Sequence, residues 1–390
     1  MTITVGSAED LIAAIPYSLG FQPRHSVVAV LTREHHLRMV ARLDIAPGPH
    51  ADAVLDAGWE QLSRQLPGCA ADEAHLVLYD ERPQGWPALL HIGDRLAQYG
   101  LQIPFAARVV DDQWWHYGCT EPECAAGWHQ IPAPGDSPTV AEYVGRGRVV
   151  APDRDTVVGR LEPDQEAIAR VRLTAYQRNA PIVARKEWIA LLGAGPTGDG
   201  YEPDPQTATR LARSLLDRNF RDALIAALAP DSFPGADHRP YAAGRVAEVL
   251  RQADCPQAVR DRFAIEFAAL GPVDAWSPGS FRAVPPDAEV LDADARDAIT
   301  HWQYVMLGRL SALARLVPPP LSANPYAVLA FLAGSLGEGL TMSAALDQAL
   351  RADPQHRLAL LLWTALQRGV YPFLVHQGSD GGPEQFSPVA

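Results

Sequence analysis

The sequence predicts an α/β N-terminal domain, a mixed sheet with flanking helices, followed by an all-α C-terminal region with a tetratricopeptide-like helix hairpin. Three observations predict it. Short apolar or β-branched runs alternate with amphipathic stretches between Thr2 and Tyr117. From Thr139 onward no strand pattern recurs, and apolar stripes of helical period are separated by proline-rich joints. Near the C-terminus two consecutive stripes share the same spacing of apolar residues.

The elements follow in order. Thr2–Val5 is a short β-branched run. Ser7 stands as an N-cap with Asp10 three positions on, and Leu11, Ile12 and Ile15 give one apolar face that Pro16 is expected to end. Val27–Leu31 is continuously apolar, as in a strand buried on both faces. Leu37–Leu43 pairs with it as a hairpin across Arg33–His36. A helix follows over His50–Leu66, then a buried strand at Leu76–Tyr79. The next helix starts at Pro87 and stops at Gly100. Phe105–Val110 and Gln113–Tyr117 form two strands across an Asp111-Asp112 turn. Helices crossing between strands imply parallel pairs and hairpins imply antiparallel ones, hence a mixed sheet.

Gly118–Pro138 is irregular, and the domain boundary is placed at its end: an α/β domain over 1–138, a helical domain over 139–377, and a disordered tail over 378–390. Helices are expected over Val140–Gly145, Pro163–Leu192 with a break at Pro181, Pro205–Ala229, Ala242–Gln252, Pro256–Leu270 and Ala288–Val317, with three more at the C-terminus. Met342, Ala345, Leu346, Ala349 and Leu350 follow the i, i+3, i+4, i+7, i+8 pattern. Leu358, Leu361, Leu362, Ala365 and Leu366 follow it again beyond Asp353-Pro354. Alanine at close-contact positions suits a helix hairpin, which packs a core or forms a peptide-binding groove.

The composition, 47% hydrophobic and 20% charged over 390 residues, is that of a globular chain of two or three domains. The net charge of −13 repels phosphate backbones and disfavours nucleic-acid binding. No run approaches the roughly 20 apolar residues of a membrane span. The N-terminus has no cationic start, and the four cysteines are read as reduced thiols of a cytoplasmic chain.

Several phrases together resemble an actinobacterial family catalogued only as a domain of unknown function. They are the opening from Leu11 to Pro23 leading to Ser26-Val27-Val28, and the phrase Trp114-Trp115-His116-Tyr117-Gly118-Cys119-Thr120 with Pro122 and Cys124. Gly145 through Arg154 and the C-terminal Ala349–Pro354 with its following helix complete the set. The resemblance spans most of the chain and implies an intracellular protein without assigning an activity. Where the family's loop carries adjacent cysteines followed by proline, this chain has Cys124-Ala125-Ala126.

Three constellations bear on chemistry. His116, Cys119, Cys124 and His129 hold the ligand types of a tetrahedral zinc site, although their spacing departs from that of zinc fingers. The same loop also reads as packed reduced cysteines or as a redox pair. Gly20–Ser26 joins a helix to the first buried strand and offers Arg24 and Ser26 to a ligand; equally, Gly20 caps the helix and Phe21 plugs the core. Ligands in α/β sheets sit at carboxyl ends of strands, which weighs against a site that precedes one. The arginine-rich stretch from Arg146 to Arg178 includes Arg148 and Arg154 as anion contacts, with surface salt bridges as the alternative. Trp114 offers a stacking surface or a core ring. Gly193–Gly198 spells G-x-G-x-x-G but follows a helical stretch and contains proline, so it reads as a linker.

No hydrolase motif accompanies these residues. The leading expectation is a non-catalytic ligand-sensing or protein-interaction protein that contacts a protein partner through its helical half, without a resident cofactor. The alternative is an enzyme acting on a small metabolite where the α/β and helical domains meet.

Overall fold

The computed structural model describes residues 7–34, 36–82, 85–119, 127–171, 184–193, 203–229, 240–268 and 293–368. The expected strand at Thr2–Val5, the Pro181 break and the C-terminal tail lie outside these residues. The described residues form two compact units. One reaches to Val157 and takes in the end of the last helix from Thr364; the other runs from Val158 to Trp363. None of the described helices is long and apolar enough to cross a membrane.

The first unit opens with α1 (Ala8–Leu19). Ser7 Oγ accepts the Asp10 N–H at 3.2 Å, and Glu9 and Asp10 oppose the positive end of the helix dipole. Pro16 does not end this helix. The helix runs on to Leu19 and closes at Gly20, whose φ of 79° suits glycine and whose N–H bonds Pro16 O at 2.8 Å. Proline lacks the N–H that would bond Ile12 O. The Tyr79 hydroxyl reaches that carbonyl instead, at 3.5 Å. Tertiary structure thus supplies what the helix lacks.

The sheet is mixed, as expected. Its order is β2 (His36–Asp44), β1 (Ser26–Arg33), β3 (Glu73–Tyr79), β4 (Gln102–Val110), β5 (Gln113–His116) and β6 (His129–Gln130). Only β3 and β4 run parallel, joined by α3 (Gly85–Gln98); every other neighbouring pair is antiparallel. One face buries Val27, Ala29, Leu31, Leu76 and Leu78 against α3 and α2 (Ala51–Cys69). The other buries Val28, Val30, Val77, Phe105 and Trp114 against α1. Helices on both faces explain why the β1 sequence is apolar without alternation.

The register fixes where a ligand can meet the sheet. Ser26, the first residue of β1, stands opposite Asp44 at the end of β2 and Tyr79 at the end of β3. The entry to β1 therefore lies at the carboxyl ends of both neighbours.

The first unit also holds α4 (Pro138–Gly145), which the sequence assigns to the helical half. It packs on α1: Tyr143 stacks on Tyr17 at 6.2 Å, and its hydroxyl lies 2.5 Å from Ser18 Oγ. Beyond it the chain bridges Phe21 at Ala151 and enters α5 (Arg154–Gly159).

The second unit is helical, as the sequence predicts. Its helices are α6 (Gln165–Ala169), α7 (Arg185–Leu192), α8 (Pro205–Ser214), α9 (Arg218–Leu228), α10 (Pro240–Gln252), α11 (Gln257–Ala268), α12 (Ala293–Arg315), α13 (Ala323–Ser335), α14 (Gly339–Ala352) and the start of α15 (Arg357–Gln367). The single stretch expected over Pro205–Ala229 is two helices, because Asp217 caps the second through the Asn219 and Phe220 N–H groups. The hairpin expected between the Met342–Leu350 and Leu358–Leu366 stripes is not the closely packed one: among the described residues α14 pairs closely with the preceding α13. Ala327, Ala330, Ala345 and Ala349 are all fully buried there, which lets the backbones approach. α15 follows across Asp353-Pro354.

The first glycine of G-x-G-x-x-G has a packing role at the end of α7; the motif's other residues lie outside the description. A Cβ on Gly193 would meet Asp254 N at 2.5 Å, Ile189 O at 2.7 Å and Ala253 Cα at 3.0 Å. Two α12 side chains bind the last carbonyls of α7: Arg309 Nη1 bonds Leu191 O at 2.7 Å, and Trp302 Nε1 bonds Leu192 O at 3.0 Å. With its helix end so held, Gly193→Ala is expected to cost about 2 kcal/mol through backbone overlap, read as a lower urea midpoint at unchanged slope.

Candidate functional site

A cleft of about 310 Å³ opens in the first unit at the carboxyl ends of β2 and β3. Phe21, Arg24 and His25 come to it from the α1–β1 connection, Arg42 and Asp44 from the end of β2, and Asp153 and Arg154 from the start of α5. The fold thus brings together Arg24 and Arg154, which are 130 positions apart. The topological objection to a site before β1 does not hold, since β1 runs antiparallel to both neighbours.

The cleft rests on a buried carboxylate at the end of β3. The Asp80 side chain is fully buried. It accepts the Arg82 backbone N–H at 3.0 Å, and the Arg82 guanidinium grips both oxygens, Nε to Oδ1 and Nη2 to Oδ2, each at 2.8 Å. Charge-assisted, bidentate contacts of this kind are strong and directional. Arg82 Nη2 also bonds Ile45 O at 3.1 Å, and Arg108 Nε bonds Asp80 O at 2.9 Å. The carboxylate and Arg82 therefore tie the ends of β2 and β3 together, and Arg108 joins β4 to the same turn through the backbone.

Asp80 also receives His25, whose Nδ1 lies 3.4 Å from Oδ1. His25 lines the cleft with a half-exposed ring, and its φ of 46° is uncommon for a residue with a side chain. Burial pushes the Asp80 carboxyl up, but the Arg82 contacts and His25 outweigh this and hold it below the usual carboxylate range.

Arg42 crosses one wall. Its Nη2 bonds Asp44 at 2.6 Å and Arg24 O at 3.1 Å, and its guanidinium lies over the Phe21 ring, 5.4 Å from the centroid. Burial draws Arg42 down from its ordinary value, Asp44 opposes this, and Arg154 adds to it. Asp153 is held low by the Thr156 hydroxyl and amide, both at 2.7 Å, and also by Arg24. Among the described residues the Arg24 and Arg154 guanidiniums have no hydrogen-bond partner. Ser26 Oγ is buried without a partner, directly across the sheet from Asp44.

Other residues singled out from sequence lie elsewhere. Arg148 is structural: its Nη1 bonds Tyr17 O at 2.8 Å at the carboxyl end of α1, and its guanidinium lies over Tyr143. Arg146 and Arg170 pair with Glu142 and Glu166 one helical turn away, as surface ion pairs; Arg172 and Arg178 lie outside the description. Trp114 is a core ring, 3% exposed and stacked on His129 at 4.6 Å. Trp115 packs edge-on against Trp86 at 5.8 Å.

For the zinc candidate, His116 ends β5 and His129 begins β6, with Cys119 half-buried beyond them. Burial holds the His116 imidazole low, and the neighbouring His129 adds to this. Cys124 lies outside the described residues, and no group of three His, Cys, Asp or Glu side chains converges among those described. Cys69 and Cys255 are buried, and burial pushes the Cys69 thiol up to about 11.

Arg42, Asp44, Asp80, Arg82 and Asp153 are absent from the sequence-derived set, and His25 lies in the candidate loop Gly20–Ser26 without an assigned role. A signal existed for Asp80: an aspartate directly after a buried strand, where α/β sheets place functional groups.

Asp80→Asn leaves Arg82 without its charge partner and is expected to cost about 3 kcal/mol at neutral pH. The sign follows from the lowered folded-state value. The contribution is complete above the unfolded-state pKa, about 3.9, and is lost as pH falls through the folded value. Urea denaturation between pH 7 and pH 3 should show a shallower acid decline for the variant than for the parent.

A family model described as "Domain of unknown function (DUF4192)" matches residues 9–259 and 287–373. No curated protein and no solved structure matches the chain. The match spans both units and most of the sequence, and the chain belongs to the DUF4192 family.

Proposed function

We propose that the α/β unit is a ligand-binding module that takes a small metabolite bearing a phosphate or carboxylate group in the cleft at the end of β2 and β3. One observation carries this reading: Arg24, Arg42 and Arg154 converge on one cleft, and two of them keep guanidiniums that no described group bonds. Arginine forks match the geometry of carboxylate and phosphate oxygens. The cleft volume lies at the small end of the range for metabolite sites, and Phe21 supplies an apolar wall. In this reading the protein is a cytoplasmic ligand sensor, and the helical region carries the contact with a protein partner. The net charge of −13 argues against nucleic acid in that role.

Isothermal titration calorimetry with inorganic phosphate tests the site. Binding should weaken about tenfold in Arg24→Gln and again in Arg154→Gln, as expected for lost hydrogen bonds to a charged group, with the far-UV circular dichroism unchanged. Absence of binding to the parent, or equal binding by the double variant, would refute the reading.

A second reading, an enzyme acting on such a metabolite, draws on His25. A buried ionised carboxylate that accepts Nδ1–H orients an imidazole and leaves the Nε2 lone pair for a proton. This reading moves the enzyme site from the junction of the two domains into the α/β unit itself. Release of p-nitrophenolate from p-nitrophenyl phosphate should then be measurable and vanish in His25→Ala; release that persists in the variant sinks it.

A further inference from the structure

We propose that His356 is a pH-sensitive latch at the start of the last helix, α15, which holds when the imidazole is neutral and opens when it is protonated. The imidazole is buried, 8% exposed, and both ring nitrogens are committed. The Ala359 N–H donates to Nδ1 at 3.3 Å. Nδ1 therefore acts as the N-cap acceptor of α15, a task usually given to a serine, threonine or aspartate oxygen. With Nδ1 accepting, the ring proton sits on Nε2 and donates to Asn324 Oδ1 in α13, at 3.1 Å. One tautomer of the neutral ring satisfies both bonds. Protonation puts a hydrogen on Nδ1 directly against the Ala359 N–H, so the cap is lost and two donors face each other.

The surroundings bias the ring the same way. Burial draws its pKa below the ordinary value, Arg221 of α9 adds to this, Asp353 in the turn before α15 opposes it, and Arg218 of α9 adds again. Arg221 is itself bonded to Asp222, at 2.8 Å. Asn324 on α13 is neutral, so no carboxylate faces Nε2 to favour the charged ring. The sign is opposite to that of a salt-bridged histidine. The folded-state pKa is lowered, so the unfolded segment binds the extra proton. The latch is intact above about pH 6.5, the unpaired value, and weakens as pH falls below it, until the folded value is reached.

The latch is separate from the anion cleft and does not depend on that assignment. Hydrogen exchange of the full-length protein, followed by mass spectrometry and corrected for the intrinsic pH dependence of exchange, tests it. Amides over 357–363 should lose about tenfold in protection between pH 7.5 and pH 5.5. In His356→Asn, which keeps an N-cap acceptor that does not titrate, their protection should be the same at both pH values. A parent without pH dependence there, or a variant that loses as much as the parent, overturns the proposal. Should the variant fail to fold, the parent still decides. The His356 imidazole resonance followed by NMR must titrate with the same midpoint as the opening of 357–363, and separate midpoints overturn the latch.

Discussion

The α/β unit is organised around one buried charge. Asp80 sits where three strand ends meet, with its side chain fully out of water. An isolated carboxylate in such a place would be protonated or expelled. It stays ionised because Arg82 supplies a bidentate partner and an amide, and Arg82 in turn holds the carbonyl that follows β2. Arg108 reaches across from β4 to the same turn. Removing the carboxylate therefore loosens the Arg82 link between the ends of β2 and β3. The cost of burying an ion pair makes it poor as pure glue, and here it stands next to an imidazole in a left-handed backbone.

The fold was legible in the sequence wherever structure is local. The apolar run of β1, the cap at Ser7 and the turn at Asp111-Asp112 each depend on neighbours along the chain and each appears where the sequence places it, as does the helical character beyond Thr139, though not every helix boundary. What could not be read is what distant residues do to local rules. Pro16 ends a helix when its orphaned carbonyl has nowhere to go. Here Tyr79, 63 positions away, takes a share of that carbonyl, and the helix gains one more turn.

The site shows the same division. Arg24 was legible as an anion contact in a loop and Arg154 as part of an arginine-rich stretch with surface salt bridges as the alternative, but nothing in the sequence joins them; the join is a bridge between Phe21 and Ala151 beside the entry to β1. The objection drawn from strand direction looked only at the end of β1 and not at the ends of its neighbours. Strand direction is set by which partner a strand finds, and β1 finds two antiparallel ones. Arg148 was misplaced for the converse reason. An arginine just after a helix can serve an outside anion or the carbonyls of a neighbouring helix, and the end of α1 offers those carbonyls. Trp114, read from sequence as a stacking surface or a core ring, and His129, read as a ligand candidate, stack on each other because β5 and β6 pair and place them opposite one another.

The charge balance of the cleft bears on how it would select a ligand. Arg24, Arg42 and Arg154 stand among Asp44, Asp153 and Asp155, so the local charge nearly cancels. In a chain of net charge −13, long-range attraction of an anion is weak. Recognition must then be short-range, through the direction of individual N–H groups over a few ångströms. Arg42 is already fixed by Asp44, the Arg24 carbonyl and the Phe21 ring, whereas Arg24 and Arg154 are exposed. In the proposed reading, a fixed guanidinium would set the position of one ligand oxygen at little entropic cost, with the two exposed ones left to meet the rest. Such an arrangement favours a compact anion over an extended polyanion, because the carboxylates flanking the cleft repel any charge that reaches beyond the three arginines.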